Sequence, residues 1–259
     1  MTRKRYSVSG SVERNLAAID TVGMKAEAGE EALCIHDCNF GNYDGAVLYA
    51  ERTPLEEVDR DAAEENSLSV YRRNTGGSPF LWREDDVVLT VSSEADPLEE
   101  TIGPAVKSTL ESYGVESDRI EVKDDVNRRA VYVDDMPISS FGSVNTNRLN
   151  VLSGFVAARS YDAERISQVV NLRRGEEEYI REMPAISDFA DDIQEFFQSL
   201  TSRLEKQNTD SDSWSKILDN REDDYRELEE RTGSRHRGFC PVYREDLEDF
   251  RKQISQSCQ

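Results

Sequence analysis

Long apolar runs are missing from this 259-residue sequence. No stretch of about 18 consecutive apolar residues exists, so no segment is predicted to span a membrane. Cysteine is scarce as well, and no apolar signal segment opens the N-terminal stretch MTRKRYSVSGSVERN. The four cysteines lie in two groups near the two ends, at Cys34, Cys38, Cys240 and Cys258. A reduced, cytoplasmic protein is the expected setting.

The rarity of cysteine and histidine also limits the possible chemistry. Cys34 and Cys38 flank His36, but the two-residue spacing and the second ligand pair of a typical zinc site are missing, so partly buried cysteines and no metal are expected. No cysteine lies between Cys38 and Cys240, which disfavours a thioester route through a central cysteine nucleophile. His36 and His236 are the only histidines, and they offer little general-base capacity.

Positively charged residues are also few in comparison with acidic ones. The formal net charge is −21 with 53 acidic residues, which argues against nucleic acid as a partner because phosphates would be repelled. Only 7 lysines accompany 25 arginines, and the acidic residues are dispersed along the chain. This composition predicts an acidic, halophilic-type surface that stays soluble in high salt.

The hydrophobic pattern divides the chain in two. Residues 1–183 alternate short β-rich runs with amphipathic helical stretches, which predicts an α/β or α+β domain, and residues 184–259 are predicted to form a small helical C-terminal domain. Asn15 is placed to cap the first helix. Strands are predicted at 32–36, 45–50, 68–73, 87–92, 119–122, 130–133 and 149–158, and helices at 15–26, 55–65, 104–113, 162–170, 186–204, 214–228 and 244–254.

The stretch VYRRNTGGSPF, residues 70–80, places two arginines before two glycines in this acidic chain. A turn between two strands would explain it. Consecutive glycines also let backbone N–H groups point at an anion, and arginines add forked donors suited to phosphate or carboxylate. The stretch is not a P-loop, since no Gly-Lys-Ser/Thr follows. From these residues alone, the stretch is either a structural turn or an anion-binding site.

The same segment carries a resemblance to a known family. RRNTGGS at 72–78 resembles the Arg-Arg-x-Ser/Thr-Gly-Gly-Gly element of the lipoate-protein ligases, which are related to biotin ligases and octanoyl transferases. NLAAID at 15–20 is similar to the family's N-terminal helix, and DGAVLYAERTPLEEVD at 44–59 to the strand and turn before the arginines. GPAVKSTLESYGVE at 103–116 and LNVLSGFVAARSYDAERISQVV at 149–170 continue the resemblance, which spans roughly residues 10–190.

The resemblance implies a mixed, mainly antiparallel sheet flanked by helices and an ATP-dependent ligase. In such enzymes ATP, with Mg²⁺, and lipoate or octanoate give an acyl-adenylate. The acyl group then passes to a lysine of a lipoyl-domain protein, either a 2-oxoacid dehydrogenase E2 or the glycine cleavage H protein. The ligand-binding residues that the resemblance implies here are Arg72, Arg73, Thr75, Gly76, Gly77 and Ser78.

Two departures from the family pattern leave the catalytic residue unassigned. LWREDD at 81–86 replaces the usual residues after the glycines, although Asp85 and Asp86 lie in it. VDDMPISSFGS at 133–143 offers Met136 and Pro137 where the family carries its catalytic lysine. The nearest cations in sequence that could take over are Lys123, Arg128, Arg129 and Arg148.

Three hypotheses therefore remain open. The chain is an ATP-dependent lipoate or related acyl ligase, with or without a partner protein. Alternatively it is a non-catalytic relative that binds lipoate, its adenylate or a lipoyl domain. In the third, it is a structural acidic domain in which Arg72 and Arg73 pair with surface carboxylates.

Overall fold

The computed structural model describes residues 3–50, 57–73, 79–125, 128–144, 146–172 and 176–204. Within these ranges the chain forms short strands interleaved with helices. The strands are β1 Lys4–Gly10, β2 Ala32–Cys38, β3 Gly45–Ala50, β4 Leu68–Arg73, β5 Phe80–Arg83, β6 Val87–Ser93, β7 Ile120–Asp125, β8 Arg128–Val133, β9 Met136–Pro137, β10 Ser139–Val144 and β11 Asn150–Val156. The α-helices are α1 Val12–Glu27, α2 Arg60–Glu65, α3 Gly103–Ser112, α4 Ala163–Val169, α5 Glu176–Glu182 and α6 Ile193–Leu204.

The strands build one main sheet and two small ones. The main sheet has the order β1-β2-β6-β11-β10, and only its β1–β2 pair is parallel. The small sheets have the orders β4-β3-β5 and β7-β8-β9. The predicted fold class, a mixed and mainly antiparallel sheet flanked by helices, is confirmed. None of the described helices combines the length and the apolar character of a membrane span.

The two faces of the main sheet pack against different elements. Alternate residues of a strand point to opposite faces. Leu89 and Leu152 lie on the face that packs with α3 and α6, where Phe196 is fully buried. Val88 and Phe155 lie on the other face, which α1 and the sheet β4-β3-β5 cover. The small sheet therefore lies against one half of the main sheet.

The first helix begins earlier than its predicted cap. Ser11, not Asn15, is the N-cap, and its hydroxyl accepts a hydrogen bond from the Arg14 backbone N–H at 3.3 Å. Asn15 lies inside the first turn and is fully buried, where its amide group donates to the carbonyl oxygens of Gly10 and Ser11. The prediction of Asn15 as the N-cap was wrong, because an asparagine inside a helix can also donate hydrogen bonds to backbone carbonyls of preceding residues.

Four strands were not predicted, namely β1, β5, β9 and β10. Strands β1 and β10, KRYSVSG and SSFGSV, are rich in serine and lack β-branched runs, while β5 and β9 are only four and two residues long. The predicted helix 186–204 is shorter in the structure. Residues Ile186–Asp188 form a 3₁₀ turn, and α6 begins at Ile193, where the Asp192 carboxylate accepts from the Glu195 N–H at 3.0 Å.

The remaining predicted elements lie partly or wholly outside the described residues. The prediction for 55–65 overlaps α2, which begins after the Asp59 cap, while residues 51–56 are outside the description. The helices predicted at 214–228 and 244–254 are also outside it. At the predicted domain boundary, the Ile186 N–H donates to the Ala157 carbonyl at 2.9 Å, and α6 packs on α3 through Tyr113 and Phe196. The separate C-terminal domain stays a prediction.

Candidate ligand site

The arginine segment lies at one edge of the sheet β4-β3-β5. Strands β3 and β4 run parallel, so both end at this edge, with Ala50 opposite Arg73 and Tyr49 opposite Arg72. Strand β5 runs antiparallel and begins at the same edge, where Phe80 pairs with Leu48. Two strand ends and one strand start therefore meet around the two arginines.

The two arginines point to opposite faces of this small sheet, because successive strand residues alternate. Arg73 shares its face with Phe80, and its Cζ atom lies 4.8 Å from the centre of the Phe80 ring. Arg72 shares the other face with Tyr49 and is half-buried. The segment therefore does not present a side-by-side arginine pair to one ligand group.

Arg73 is the more buried of the two, with only 4% of its surface exposed. Burial lowers the pKa of its guanidinium to about 9, and the group is still a cation at neutral pH. A desolvated cation is costly, and an anion placed beside it offsets that cost. Arg73 is thus a buried guanidinium at the strand-end edge, and guanidinium groups are forked donors that suit phosphate or carboxylate.

The rest of the predicted segment cannot be placed in the same way. Thr75, Gly76, Gly77 and Ser78 lie outside the described residues, so their ligand-binding role stays a prediction. One neighbouring contact was not foreseen from the sequence. Tyr71 of β4 donates its hydroxyl to the Glu13 carboxylate at 2.8 Å, which ties the first turn of α1 to the arginine strand.

The residues that the sequence resemblance aligns with a lysine turn form a hairpin next to the main sheet. Met136 and Pro137 form β9, and Pro137 pairs with Tyr132 of β8. In the next strand, β10, Ser140 pairs with Phe155 of β11. Phe155 in turn stacks on Phe80 with ring centres 5.0 Å apart, and the Phe80 ring contacts Arg73.

The cations that were considered as replacements for the lysine occupy different places. The Lys123 ammonium contacts Asp135 of the hairpin turn at 3.6 Å and lies 4.5 Å from the centre of the Tyr132 ring. Arg129 forms ion pairs with Asp124 and Asp96, away from the hairpin turn. Arg148 donates to the Ala28 carbonyl at 3.4 Å, and the Arg128 side chain is outside the description. Of these candidates with described side chains, Lys123 contacts the hairpin turn. Arg119, which the sequence did not suggest, also contacts this turn and pairs with Asp134.

The two aspartates after the glycine segment are engaged in structural contacts. Asp86 is buried and accepts hydrogen bonds from Arg83, from the Ala158 N–H at 3.1 Å and from the Tyr161 hydroxyl at 3.1 Å. Asp85 forms an exposed ion pair with Arg159 at 2.6 Å. These contacts fix the turn between β5 and β6 to the segment after β11.

The Cys34–His36–Cys38 stretch is part of the core. Cys34 and Cys38 are buried free thiols, and burial raises the pKa of both. His36 bonds Asn15 through Nδ1 at 3.2 Å and Thr90 through Nε2 at 2.9 Å. Among the described residues no group of three or more metal-ligating side chains comes together.

Comparisons with known proteins found similar structures but no matching family model or curated sequence. Neither a protein-family model nor a curated protein matches the chain. A Thermoplasma acidophilum protein named as a lipoate protein ligase and solved with bound lipoic acid is 16% identical, with a TM-score of 0.67 over 87% of this chain and 96% of that one. Lipoate-protein ligase A bound with ATP is 15% identical, with a TM-score of 0.67 over 86% and 95%.

A third structure extends over even more of the chain. It is a bi-partite lipoate protein ligase with its E2 lipoyl domain from T. acidophilum, 17% identical, with a TM-score of 0.70 over 93% of this chain and 100% of that one. Identities this low establish the fold alone. This chain has the fold of the lipoate-protein ligases, and the resemblance noticed in the sequence is confirmed at that level.

Proposed function

We propose that this chain is a lipoate-protein ligase-like protein that activates lipoate or octanoate with ATP and passes the acyl group to a lysine of a lipoyl domain. The observation that carries the proposal is the placement of Arg73, a buried cation at the strand-end edge of a chain with the ligase fold. Adenylation develops negative charge on the α-phosphate, and a preorganised cation stabilises that charge.

The ligand-binding residues in this proposal are Arg72, Arg73, Thr75, Gly76, Gly77 and Ser78. Solved structures of the same fold hold lipoic acid in one case and ATP in another. A partly dehydrated Mg²⁺ needs only one or two protein carboxylates in addition to nucleotide phosphates, so it would arrive with ATP. The acyl acceptor would be a lipoyl domain of a 2-oxoacid dehydrogenase E2 or the glycine cleavage H protein.

A second candidate function follows from the hairpin at Met136 and Pro137. Neither side chain carries charge, and removing one such cation typically costs about 3 kcal/mol of transition-state stabilisation. The chain would then bind lipoate, its adenylate or a lipoyl domain without turnover. A partner protein could also complete the site, and one structure of this fold belongs to a bi-partite ligase.

The test is isothermal titration of the full chain, in high salt with magnesium, against a non-hydrolysable lipoyl-adenylate analogue. Arg73→Ala should abolish binding, and Arg73→Lys should weaken it because lysine keeps the charge and loses the fork. Arg159→Ala is the matched control, since Arg159 is exposed and pairs with Asp85. Binding that is absent from the wild type, or equal in all variants, would overturn the proposal. ATP–pyrophosphate exchange then separates a ligase from a non-catalytic binder.

A further inference from the structure

The two edge strands of the main sheet differ in charge. The sheet order β1-β2-β6-β11-β10 leaves β1 at one edge and β10 at the other. Strand β1, KRYSVSG, carries Lys4 and Arg5, whereas β10, SSFGSV, carries no charged residue. Edge strands of soluble proteins are commonly guarded by charged side chains, because their outward N–H and C=O groups can pair with another chain. Strand β10 lacks this protection, although 33% of the residues in the chain are charged.

Within the described residues, β8 covers the outer edge of β10 at its beginning only. The Ile138 N–H donates to the Val131 carbonyl at 2.9 Å, and the Ser139 hydroxyl accepts from the Val131 N–H at 2.8 Å. From Ser140 onward, β11 is the only strand in the described part of the chain that pairs with β10. In an antiparallel pair, every second residue directs its backbone N–H and C=O away from the partner strand. The later residues of β10 therefore present backbone donors and acceptors along the outer edge.

The accessible part of β10 is small, uncharged and firmly held. Ser140 and Ser143 are exposed and Gly142 is partly exposed, whereas Phe141 is buried in the cluster that includes α3 and α6. Phe141 pairs with Gly154 of β11, and a Cβ atom at Gly154 would lie only 2.0 Å from the Ser140 carbonyl oxygen. This close approach fixes β10 on β11. The edge can therefore accept a further strand without first being ordered.

We propose that two copies of this chain associate through β10, which pairs antiparallel with the β10 of the other copy about a two-fold axis. A two-fold contact places a strand opposite itself, so like charges in it would face each other and repel. Strand β10 avoids this at every register because it contains no charged residue. An uncharged strand is complementary to itself and gives no charge selectivity for a different protein, so a second copy is the favoured occupant. The two five-stranded sheets would then form one continuous sheet.

The net charge of the chain determines how this association depends on salt. Each copy carries a formal charge of −21, so two copies repel each other at low ionic strength. The Debye length falls from about 8 Å at 0.15 M salt to about 3 Å at 1 M, which screens this repulsion. Hydrogen bonds between two uncharged strands do not depend on such screening. We therefore expect the dimer to become more stable as the salt concentration rises.

The test is sedimentation equilibrium of the full chain and three variants at 0.15 M and 1 M KCl. Ser143→Lys places a charge on β10 of both copies and should raise the dimer dissociation constant by at least about tenfold. Ser143→Thr keeps the strand uncharged and should leave the constant within about threefold of the wild type. Ser7→Lys is the matched control, because it adds the same charge at an exposed serine of the opposite edge strand and should have no effect.

Hydrogen exchange of the wild type locates the contact without any variant. The backbone amides of β10 should exchange more slowly in a concentrated sample than in a dilute one, while those of β1 should not change. Thermal unfolding shows whether each variant is folded. A wild type that is monomeric at both salt concentrations, or a dimer that weakens as salt rises, would overturn the proposal. A dimer without slowed exchange in β10, or one that Ser143→Lys and Ser7→Lys affect equally, would overturn it as well.

Discussion

Arg83 and Asp86 form a forked ion pair three residues apart, with the Arg83 Nη2 2.9 Å from one carboxylate oxygen and the Nε 3.2 Å from the other. The same guanidinium donates to the carbonyl oxygens of Arg159 and Ser160. One aspartate side chain and one arginine side chain therefore hold the β5–β6 turn against the chain that follows β11.

Replacing Asp86 by asparagine should destabilise the fold by about 3 kcal/mol, because breaking a buried ion pair leaves an uncompensated charge. Asp85→Asn is the matched change, and it should alter the free energy of unfolding by less than about 1 kcal/mol, since its pair with Arg159 is exposed. Urea unfolding of both variants measures the difference. Equal effects would mean that Asp86 has no clamping role.

The buried His36 predicts a pH dependence of stability. Burial lowers its pKa from 6.5 to about 3, so between these values the unfolded chain binds a proton that the folded chain does not. Stability from this group is complete above pH 6.5 and falls as the pH decreases, by about 2 kcal/mol between pH 7 and pH 5. Glu30 and Glu31, whose pKa values are lowered from 4.5, contribute only at lower pH.

The measurement for this prediction is urea unfolding at pH 7, 6 and 5 of the wild type and of His36→Gln. Glutamine does not titrate, and His236 is present in both proteins, so the difference between the two slopes isolates His36. Parallel slopes would show that the histidine is not buried in its neutral form.

The two-residue turn between β8 and β9 predicts a stabilising change. Asp134 and Asp135 have φ angles of 51° and 64°, as a type I′ turn requires, although neither residue is glycine. Asp135→Gly should raise the free energy of unfolding by about 0.5–1 kcal/mol, and Asp135→Ala should lower it. Thermal unfolding measures both, and an alanine variant as stable as the glycine variant would refute the backbone explanation.

A lysine placed in the hairpin tests whether the missing cation limits turnover. Pro137 shares a sheet face with Tyr132, whereas Met136 pairs with Val133 of the apolar cluster around α3. If the missing cation limits turnover, Met136→Lys or Pro137→Lys should raise the rate of ATP–pyrophosphate exchange with lipoate by at least about tenfold. If both variants remain at the wild-type rate, the absent lysine does not account for the activity level.

The helices and strands that depend on nearby residues were predicted from local sequence signals. The helix that begins near Pro104 ends where Gly114 takes a φ of 89°, and the buried strand at Val87–Ser93, VVLTVSS, has four β-branched residues among its first five. The strand Lys4–Gly10 could not be predicted, since its partner lies 28 residues further along the chain, and Ser139–Val144 has too few β-branched residues to mark a strand.

In the candidate site too, the local features could be predicted from the sequence and the long-range contacts could not. Arg72 and Arg73 were noticed because two arginines before two glycines are unusual in an acidic chain. That they point to opposite faces follows from their strand, which was predicted as well. The contact of Phe80 with Phe155 joins residues 75 positions apart through the packing of two sheets, and no sequence pattern encodes that.

The order of the main sheet has a consequence for how the chain reaches its native state. Strand β6 lies between β2 and β11, and its Thr90 hydroxyl bonds Ser153, which is 63 residues away. During synthesis the amino-terminal half exposes one edge of β6 until β11 has left the ribosome. The entropy cost of closing so long a loop arises before the stabilising contacts between the strands form. We therefore expect slow folding and a partly formed sheet that chaperones would protect.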